Sequence, residues 1–307
     1  MKGKNAAYIV SDHALVFLIL LILTVSCGKP EAKQQDQKHM KYRQNLMYNL
    51  READETYLLP GKMKEISGLT KAGKDKLFFL NDEDGKVFGY DLKQKKIMES
   101  FKFWKKGDFE GVELVGNRVY TLQSDGDLIS FEIKKEEASE IRKEETPLST
   151  NNDTEGLGYD PLDKVLLIAC KEDGGYKGND QPGRVVYAYD PAKKDFNKNP
   201  VIQIRWEQVR DFLKSHDLDI FINDSRKFKP SAVAVNPVDK NYYVLSTTGK
   251  SLLVFDRNGE LILYYTVPRK ILEQPEGICF DSNGDMYLSS EGVDEDPRVV
   301  KFKMKSL

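Results

Sequence analysis

A short motif recurs five times along the chain and constrains the fold more than any other feature. Each copy has Glu or Ser, then Gly or Ala, then a strand-like run of alternating apolar residues. The copies are centred on Ser67, Glu110, Glu155, Ser231 and Glu276, which are 43, 45, 76 and 45 residues apart. Intervals near 40 to 45 residues are typical of four-stranded β-propeller blades. The motif therefore predicts an all-β propeller.

The number of blades follows from the strand-like runs between the motifs. These runs are short, rich in Val, Ile, Tyr and Phe, and separated by turns such as Asn258-Gly259 and Asn283-Gly284. The last motif is followed by only three such runs, and Tyr57-Leu58-Leu59 upstream of the first motif can supply the fourth. We therefore predict a five-bladed β-propeller over residues 55–307 that is closed by an N-terminal strand, because closure removes an exposed sheet edge.

The longest interval indicates an insertion at about residues 206–229 in the third blade. Trp206, Val209 and Leu213 have the spacing of a short amphipathic helix. We expect this helix to pack on the propeller, and a partner-binding helix is the alternative. The same blade contains a Gly-rich loop at residues 172–183.

The N-terminal region has the features of an exported lipoprotein. Residues 1–26 contain early lysines and an apolar run that is too short to span a bilayer, which predicts a signal peptide. Cys27 follows a loose match to a lipobox, and residues 27–54 are polar. We therefore expect a lipid anchor at Cys27, a flexible tether, and a location on the exported side of the cell envelope. The alternatives are an uncleaved N-terminal membrane anchor and secretion without a lipid. Gly28 favours the outer membrane in an enterobacterium-like host.

Composition and rare residue types exclude two classes of function. The formal net charge of −2 provides no basic face for nucleic acid. The three histidines, His13, His39 and His216, do not fall at the predicted channel, which excludes a Ser-His-Asp nucleophile there. Cys170 and Cys279 lie in apolar strands, so we expect buried free thiols, with a disulfide as the alternative in an exported protein.

Propeller topology brings the polar motif residues to one end of the central channel. The innermost strand of each blade lines the channel and runs antiparallel to the second strand. The start of the first strand and the end of the second therefore meet at one mouth of the channel. The motif residues occupy the first position, and the second is occupied by Asn81-Asp82, Ser124-Asp125, Lys171-Glu172, Ser246-Thr247 and Ser290-Glu291. Long loops on one face of a rigid scaffold commonly carry function.

Several carboxylates that face one narrow channel repel one another unless a cation compensates their charge. Ca²⁺ takes about six to eight oxygen ligands from carboxylates, carbonyls and waters, which suits a mouth rich in Glu, Asp, Asn and Ser. The alternative is architectural: each motif Glu caps backbone N–H groups of the neighbouring blade. The motif spacing leaves both interpretations open.

The motifs Ile66–Leu69, Leu80–Glu83, Phe109–Glu113, Thr154–Pro161 and Gln274–Ile278 together resemble the SdiA-regulated family over residues ~55–305. The resemblance implies a five-bladed propeller, distantly similar to NHL repeats, with a Ca²⁺ site. The residues that best match its ligands are Glu110, Glu155 and Glu276, with Asp82, Glu172 and Glu291 as neighbours; Ser67, Asn81, Asp125, Ser231 and Ser246 share the channel mouth. The chain departs from the family at Ser290-Glu291-Gly292-Val293, where Ser-Glu-Pro-Asn is usual.

Two functions from different classes fit this reasoning. The favoured one is a lipid-anchored, calcium-containing module of the cell envelope that binds a small molecule, glycan or protein at the channel mouth. The alternative is a calcium-dependent lactonase or esterase that resembles gluconolactonase and regucalcin propellers, in which a carboxylate base works without histidine.

Overall fold

The computed structural model describes residue 42 and residues 46–305. The predicted signal peptide, Cys27 and the first part of the expected tether lie outside these residues. Among the described residues, no helix is long and apolar enough to cross a membrane.

The described chain forms five antiparallel sheets from 21 strands, with two short α-helices. The first strand, β1 (Glu55–Leu58), precedes the first motif. Blade 1 contains β2 (Ile66–Gly73), β3 (Lys76–Asn81), β4 (Lys86–Asp91) and β5 (Lys96–Lys102), and blade 2 contains β6 (Phe109–Val115), β7 (Arg118–Gln123), β8 (Leu128–Lys134) and β9 (Glu137–Glu144). Blade 3 contains β10 (Thr154–Asp160), β11 (Val165–Cys170), β12 (Arg184–Asp190), β13 (Asp195–Phe196) and β14 (Ile202–Ile204). Blade 4 contains β15 (Ala232–Val235), β16 (Tyr242–Ser246), β17 (Ser251–Phe255) and β18 (Leu261–Thr266), and blade 5 contains β19 (Gln274–Phe280), β20 (Met286–Glu291) and β21 (Arg298–Phe302).

Strand β1 completes blade 5 and closes the propeller. The order of this sheet is β1-β21-β20-β19, and β1 pairs antiparallel with β21 so that Tyr57 lies opposite Val299. The Tyr57 side chain is buried and meets Tyr90 of blade 1 edge to face at 6.3 Å. The predicted five-bladed, all-β propeller with N-terminal closure is therefore confirmed.

The hydrophobic core lies mainly between neighbouring blades. Between blades 1 and 2, for example, Phe78 and Phe101 join one cluster with Phe109 and Phe131. This arrangement follows from the composition of the strands, because the middle strands of each blade are apolar on both faces and must be covered on both.

Blade 3 is the irregular blade, as its long motif interval predicts. Its outermost strand is split, and both β13 and β14 pair with β12. The insertion contains α1 (Trp206–Ser215) and the single-turn α2 (Ile222–Ser225). Val209 and Leu213 of α1 are buried in a cluster with residues of blades 3 and 4. The predicted helix is thus present and packed on the propeller.

The expected flexible tether, residues 27–54, is wrong at its C-terminal end, because residues 46–54 form a strap across blades 4 and 5. Tyr48 and Leu50 are buried. The Tyr48 hydroxyl donates to the Gly284 carbonyl oxygen at 2.5 Å and accepts from Asn236 Nδ2 at 2.6 Å. A buried aromatic ring with a satisfied hydroxyl is a strong local anchor, and it outweighs the polar residues around it.

The two cysteines of the described chain are buried free thiols, as predicted. They lie in β11 and β19 and belong to hydrophobic core clusters. Burial raises the pKa of the Cys170 thiol to about 12 and shifts that of Cys279 in the same direction. Both thiols are therefore unreactive at neutral pH.

Shortening a buried side chain of the closing strand β1 tests how much the strand contributes to stability. We expect Tyr57→Ala to lower the free energy of unfolding by about 3 kcal/mol, because it removes a buried aromatic side chain at the seam between blades 5 and 1. The neighbouring Leu58 is 58% exposed, so Leu58→Ala should change it by less than about 0.5 kcal/mol. Urea denaturation measures both. Equal losses in the two variants would contradict closure through Tyr57.

Candidate functional site at the channel mouth

Three motif glutamates occupy β-bulges at the start of an innermost strand. In β6, Phe109 pairs with Gln123 and Gly111 with Leu122, so Glu110 is an extra residue between two consecutive pairs. The same shift surrounds Glu155 in β10 and Glu276 in β19. A bulge re-aims a side chain and is frequent beside functional sites. The repeated Glu-Gly pair is thus the local sequence signal of a bulge, which spacing alone did not reveal.

The glycine after each of these glutamates allows the innermost strands to approach closely around the channel. A Cβ on Gly111 would lie 2.5 Å from Leu157 Cβ of the next blade, and a Cβ on Gly156 would lie 3.0 Å from Ala232 Cα of the blade after that. Side chains do not tolerate such distances, so these positions require glycine. The glutamates are consequently held next to the points at which the innermost strands lie closest together.

Glu110 has the clearest electrostatic signature at the mouth. Burial, followed by the nearby carboxylates of Glu155 and Asp108, raises the pKa of Glu110 to about 9. No Lys or Arg side chain of the described residues forms an ion pair with it. Glu110 therefore keeps its proton at neutral pH, shared in a hydrogen bond with Asp108.

Glu276 and Glu291 form the neighbouring acidic pair. Burial raises the pKa of Glu276 well above its ordinary value, and the carboxylates of Glu155 and Glu291 raise it further. The pKa of Glu291 is also raised by burial, although the Gln274 amide donates a hydrogen bond to it. The partly buried Lys250 ammonium lies nearby and donates to the Glu273 carbonyl oxygen. We call Glu110, Glu155, Glu276 and Glu291 the mouth cluster.

Glu155 is the member of the mouth cluster that already has a cationic partner. Its carboxylate accepts a hydrogen bond from Lys171 Nζ, which is also 3.4 Å from an Asp153 oxygen. Burial nevertheless outweighs this attraction and raises the pKa of Glu155 to about 7. Only 14% of the Glu155 side chain is exposed. Part of the charge at the mouth is therefore compensated from within the chain.

Two oxygen atoms beside the cluster are buried without a partner. Asn81 Oδ1 and Asp82 Oδ1 receive no hydrogen bond from any of the described residues. Burial and the carboxylates of Glu65 and Glu83 raise the pKa of Asp82 to about 6. Buried acceptors without donors are costly and usually indicate an unseen water or ion.

The other residues predicted at the mouth have structural partners. The Glu172 carboxylate binds Lys229 and lies 3.2 Å from Arg184, and these contacts lower its pKa, so it is diverted from the mouth cluster. Ser231 Oγ donates to the Pro275 carbonyl oxygen, and Ser246 Oγ accepts from the backbone of Lys229 and Gly249. Asp125 accepts a turn hydrogen bond from the Asp127 backbone, and Ser67 is buried in β2.

Asp108 and Asp153 are acidic neighbours that the sequence reasoning missed. Each precedes a motif glutamate by two residues, in Asp108-Phe109-Glu110 and Asp153-Thr154-Glu155. Asp108 and Asp153 come directly before β6 and β10, and their carboxylates raise the pKa of Glu110 and Glu155 respectively. The repeated Asp-x-Glu spacing was the signal that could have identified them.

The hydrogen bonds of the motif glutamates bear on the two interpretations of the motif. Among the described residues, no backbone N–H donates to the carboxylates of Glu110, Glu155 or Glu276, and this gives the capping interpretation no support. The oxygen-only donor set and the two unpartnered oxygens have the chemistry that a hard cation requires. Among the described side chains, however, no three His, Cys, Asp or Glu residues are already gathered into a metal cage.

The raised pKa of Glu110 predicts a specific pH dependence. The unfolded chain releases this proton near pH 4.5, whereas the folded chain holds it to about pH 9. The glutamate therefore destabilises the fold increasingly as pH rises through this window. With chelator present, Glu110→Gln should raise the melting temperature little at pH 5 and progressively more towards pH 9, because Gln has no proton to lose.

The exposed Glu137 of β9 provides the control for this experiment. Glu137→Gln should leave the pH profile of the melting temperature unchanged. A difference between Glu110→Gln and the original chain that stays constant from pH 5 to pH 9 would contradict the assignment.

Solved structures with the same fold come from proteins of diverse activities. Glutaminyl cyclase from Myxococcus xanthus has a TM-score of 0.54 at 12% identity, over 83% of this chain and 97% of its own. PQQ-bound aldose sugar dehydrogenase from Streptomyces coelicolor has a TM-score of 0.51 at 10% identity, over 83% and 98%. A structural genomics protein of unknown function from Bacteroides thetaiotaomicron has 0.50 at 11%, over 73% and 52%. At these identities the likeness establishes the fold alone.

Sequence comparison adds a family to the fold. No curated protein has significant similarity to the chain. The model of the SdiA-regulated family matches residues 183–293, which include the last two motif copies. This match and the five-bladed propeller confirm the resemblance of the chain to the SdiA-regulated family.

Proposed function

We propose that the chain is a binding module whose channel mouth holds a hard cation, with Ca²⁺ as the expected ion. The observation that carries this proposal is Glu110, a half-buried carboxyl group that faces Glu155 and Glu276 and has no cationic partner among the described residues. A cation beside it would allow the mouth cluster to ionise at neutral pH without the mutual repulsion that now holds protons there.

Glu110 and Glu276 are the expected primary ligands of the ion. Asn81 and Asp82 would contribute the oxygens that have no partner among the described residues. Glu155 remains with Lys171 in this proposal, and Glu172 remains with Lys229 and Arg184. When bound, the ion would supply charge compensation and a Lewis-acidic anchor for a ligand oxygen.

A polar cleft beside the mouth is the expected ligand-binding surface. It is lined by the Gly-rich loop and by the chain that precedes β10, including Ser149, Asn151, Tyr176 and Gln181. Asn152 holds the loop through hydrogen bonds to the carbonyl oxygens of Asp173 and Gly175. The Tyr176 hydroxyl is buried without a partner in the described chain. A preformed cleft with hydroxyl, amide and aromatic groups suits a hydroxyl-bearing small molecule, a glycan above all.

The cellular location is also part of the proposal. The lipobox-like sequence that ends at Cys27 supports a lipid anchor, and the propeller would then lie on the exported side of the cell envelope.

A second candidate function is hydrolysis of a lactone or ester. Glu110, which is protonated at neutral pH, and Glu155, with a pKa of about 7, have the properties of a general acid and a general base at one mouth. Turnover of lactones or aryl esters by the purified protein, lost in Glu276→Gln, would favour this function over binding alone.

Calcium should stabilise the fold through the mouth cluster. At about 100 times its Kd, Ca²⁺ contributes about 2.7 kcal/mol, a rise in melting temperature of about 5–10 °C for a domain of this size. We expect the combined variant Glu110→Gln and Glu276→Gln to lose this response. Glu172→Gln, which alters a glutamate of the same mouth outside the mouth cluster, should keep it. Differential scanning calorimetry with Ca²⁺ and with chelator measures the response, and a wild-type melting temperature indifferent to both would exclude the calcium site.

A further inference from the structure

A second cleft lies on the face of the propeller opposite the acidic mouth, at the seam between blades 1 and 5. It is formed by the turns β2–β3, β4–β5 and β19–β20 together with the start of β1. Its lining includes the lysines Lys71, Lys74, Lys93, Lys95 and Lys301. We call this the basic cleft. The function proposed above does not use it.

Two of these lysines are neutralised by the protein. Lys93 Nζ lies 2.6 Å from an Asp75 oxygen, and Lys301 Nζ lies 2.9 Å from an Asp285 oxygen. Lys71, Lys74 and Lys95, in contrast, have no carboxylate within ion-pair distance among the described side chains. The lining also contains the carboxylates of Glu55, Asp75 and Asp281, so five lysines against three acids leave a net charge of +2 in the basic cleft.

Lys71 is the most informative of the three. It is half-buried, and its ammonium group lies 4.8 Å from the centre of the Tyr287 ring and donates to the Lys74 carbonyl oxygen at 3.1 Å. The Lys301 ammonium lies 5.5 Å from the centre of the same ring. Burial lowers the pKa of Lys71, and although the Asp281 and Asp75 carboxylates act in the opposite direction, burial outweighs them. Two cations at one aromatic ring repel each other. The carboxylates near Lys71 are within ion-pair distance of other lysines: Asp281 of Lys301, and Asp75 of Lys93.

Lys95 places a third cation at the edge of the basic cleft. Its ammonium lies 5.6 Å from the centre of the Tyr57 ring. Tyr57 belongs to β1 and Tyr287 to β20, and both are buried in the rigid sheet of blade 5. The lysine stems thus rest on fixed aromatic surfaces while their charged ends line the cavity.

We propose that the basic cleft binds a phosphate group, held by Lys71, Lys74 and Lys95 above Tyr57 and Tyr287. A lining with a net charge of +2 and three lysines that have no ion-pair partner in the described chain suits a doubly charged oxyanion better than a single carboxylate. Lysine binds phosphate as a point charge without strict geometry. The phosphate group can belong to a soluble molecule or to a lipid headgroup.

Calorimetric titration with inorganic phosphate, against chloride of equal ionic strength, tests the site in the whole chain. We expect saturable binding that weakens at least tenfold in Lys71→Met, which keeps most of the apolar stem. Lys270 is exposed and outside the basic cleft, so Lys270→Met should change the affinity less than twofold. Lys95 is exposed, so we expect Lys95→Met to weaken phosphate binding without disturbing the fold. This variant tests the site if Lys71→Met does not fold.

Vesicle sedimentation distinguishes the two sources of the phosphate group. Binding to phosphatidylglycerol vesicles but not to phosphatidylcholine vesicles, with loss in Lys95→Met, assigns a lipid headgroup. Binding of inorganic phosphate without vesicle binding assigns a soluble ligand. Absence of both, or equal weakening in Lys270→Met, would overturn the proposal.

Discussion

The close approach of the five innermost strands is the constraint on which the rest of the structure depends. Successive strands come so near one another that Gly111 and Gly156 leave no room for a side chain. A strand that must place glycine at this point also carries the bulge that precedes it, and the bulge turns a glutamate towards the channel. The repeated Glu-Gly pair thus allows the close packing of the propeller and also places carboxyl groups at its channel mouth.

The proximity of these carboxyl groups has an electrostatic consequence. Half-buried carboxyl groups that face one another cannot all ionise, so the chain responds in two ways. It holds protons on Glu110, and it supplies Lys171 to Glu155. Neither response provides a hydrogen-bond donor to the buried oxygens Asn81 Oδ1 and Asp82 Oδ1, which have no partner in the described chain. On the opposite face the half-buried group is a cation, because Lys71 has no carboxylate within ion-pair distance among the described side chains. The two faces therefore differ in charge, which is why we propose a cation at the channel mouth and a phosphate group in the basic cleft.

The features that sequence could predict are those that repeat. The motif period predicted the five blades and the N-terminal closing strand, because a propeller repeats its hydrogen-bonding pattern at a constant length. The strap at residues 46–54 escaped prediction since its anchors, such as Tyr48, are isolated aromatic residues without periodicity. The sequence position of Glu172 predicted a place at the mouth. In the structure its carboxylate pairs with Arg184 and Lys229 and is not part of the mouth cluster, and such pairings cannot be predicted from the motif. The structure does not describe residues 1–41, 43–45, 306 and 307. The lipid anchor at Cys27 therefore stays a prediction from sequence.

Identification of the bound ion is the most direct test of the proposed cation site at the channel mouth. Elemental mass spectrometry of the native protein, paired with anomalous scattering from crystals, reports the metal and its ligands together. We predict one Ca²⁺ per chain at the channel mouth, coordinated by Glu110 and Glu276. The calcium site would be contradicted by a metal-free protein that takes up no Ca²⁺ on soaking and in which Glu110 remains hydrogen-bonded to Asp108.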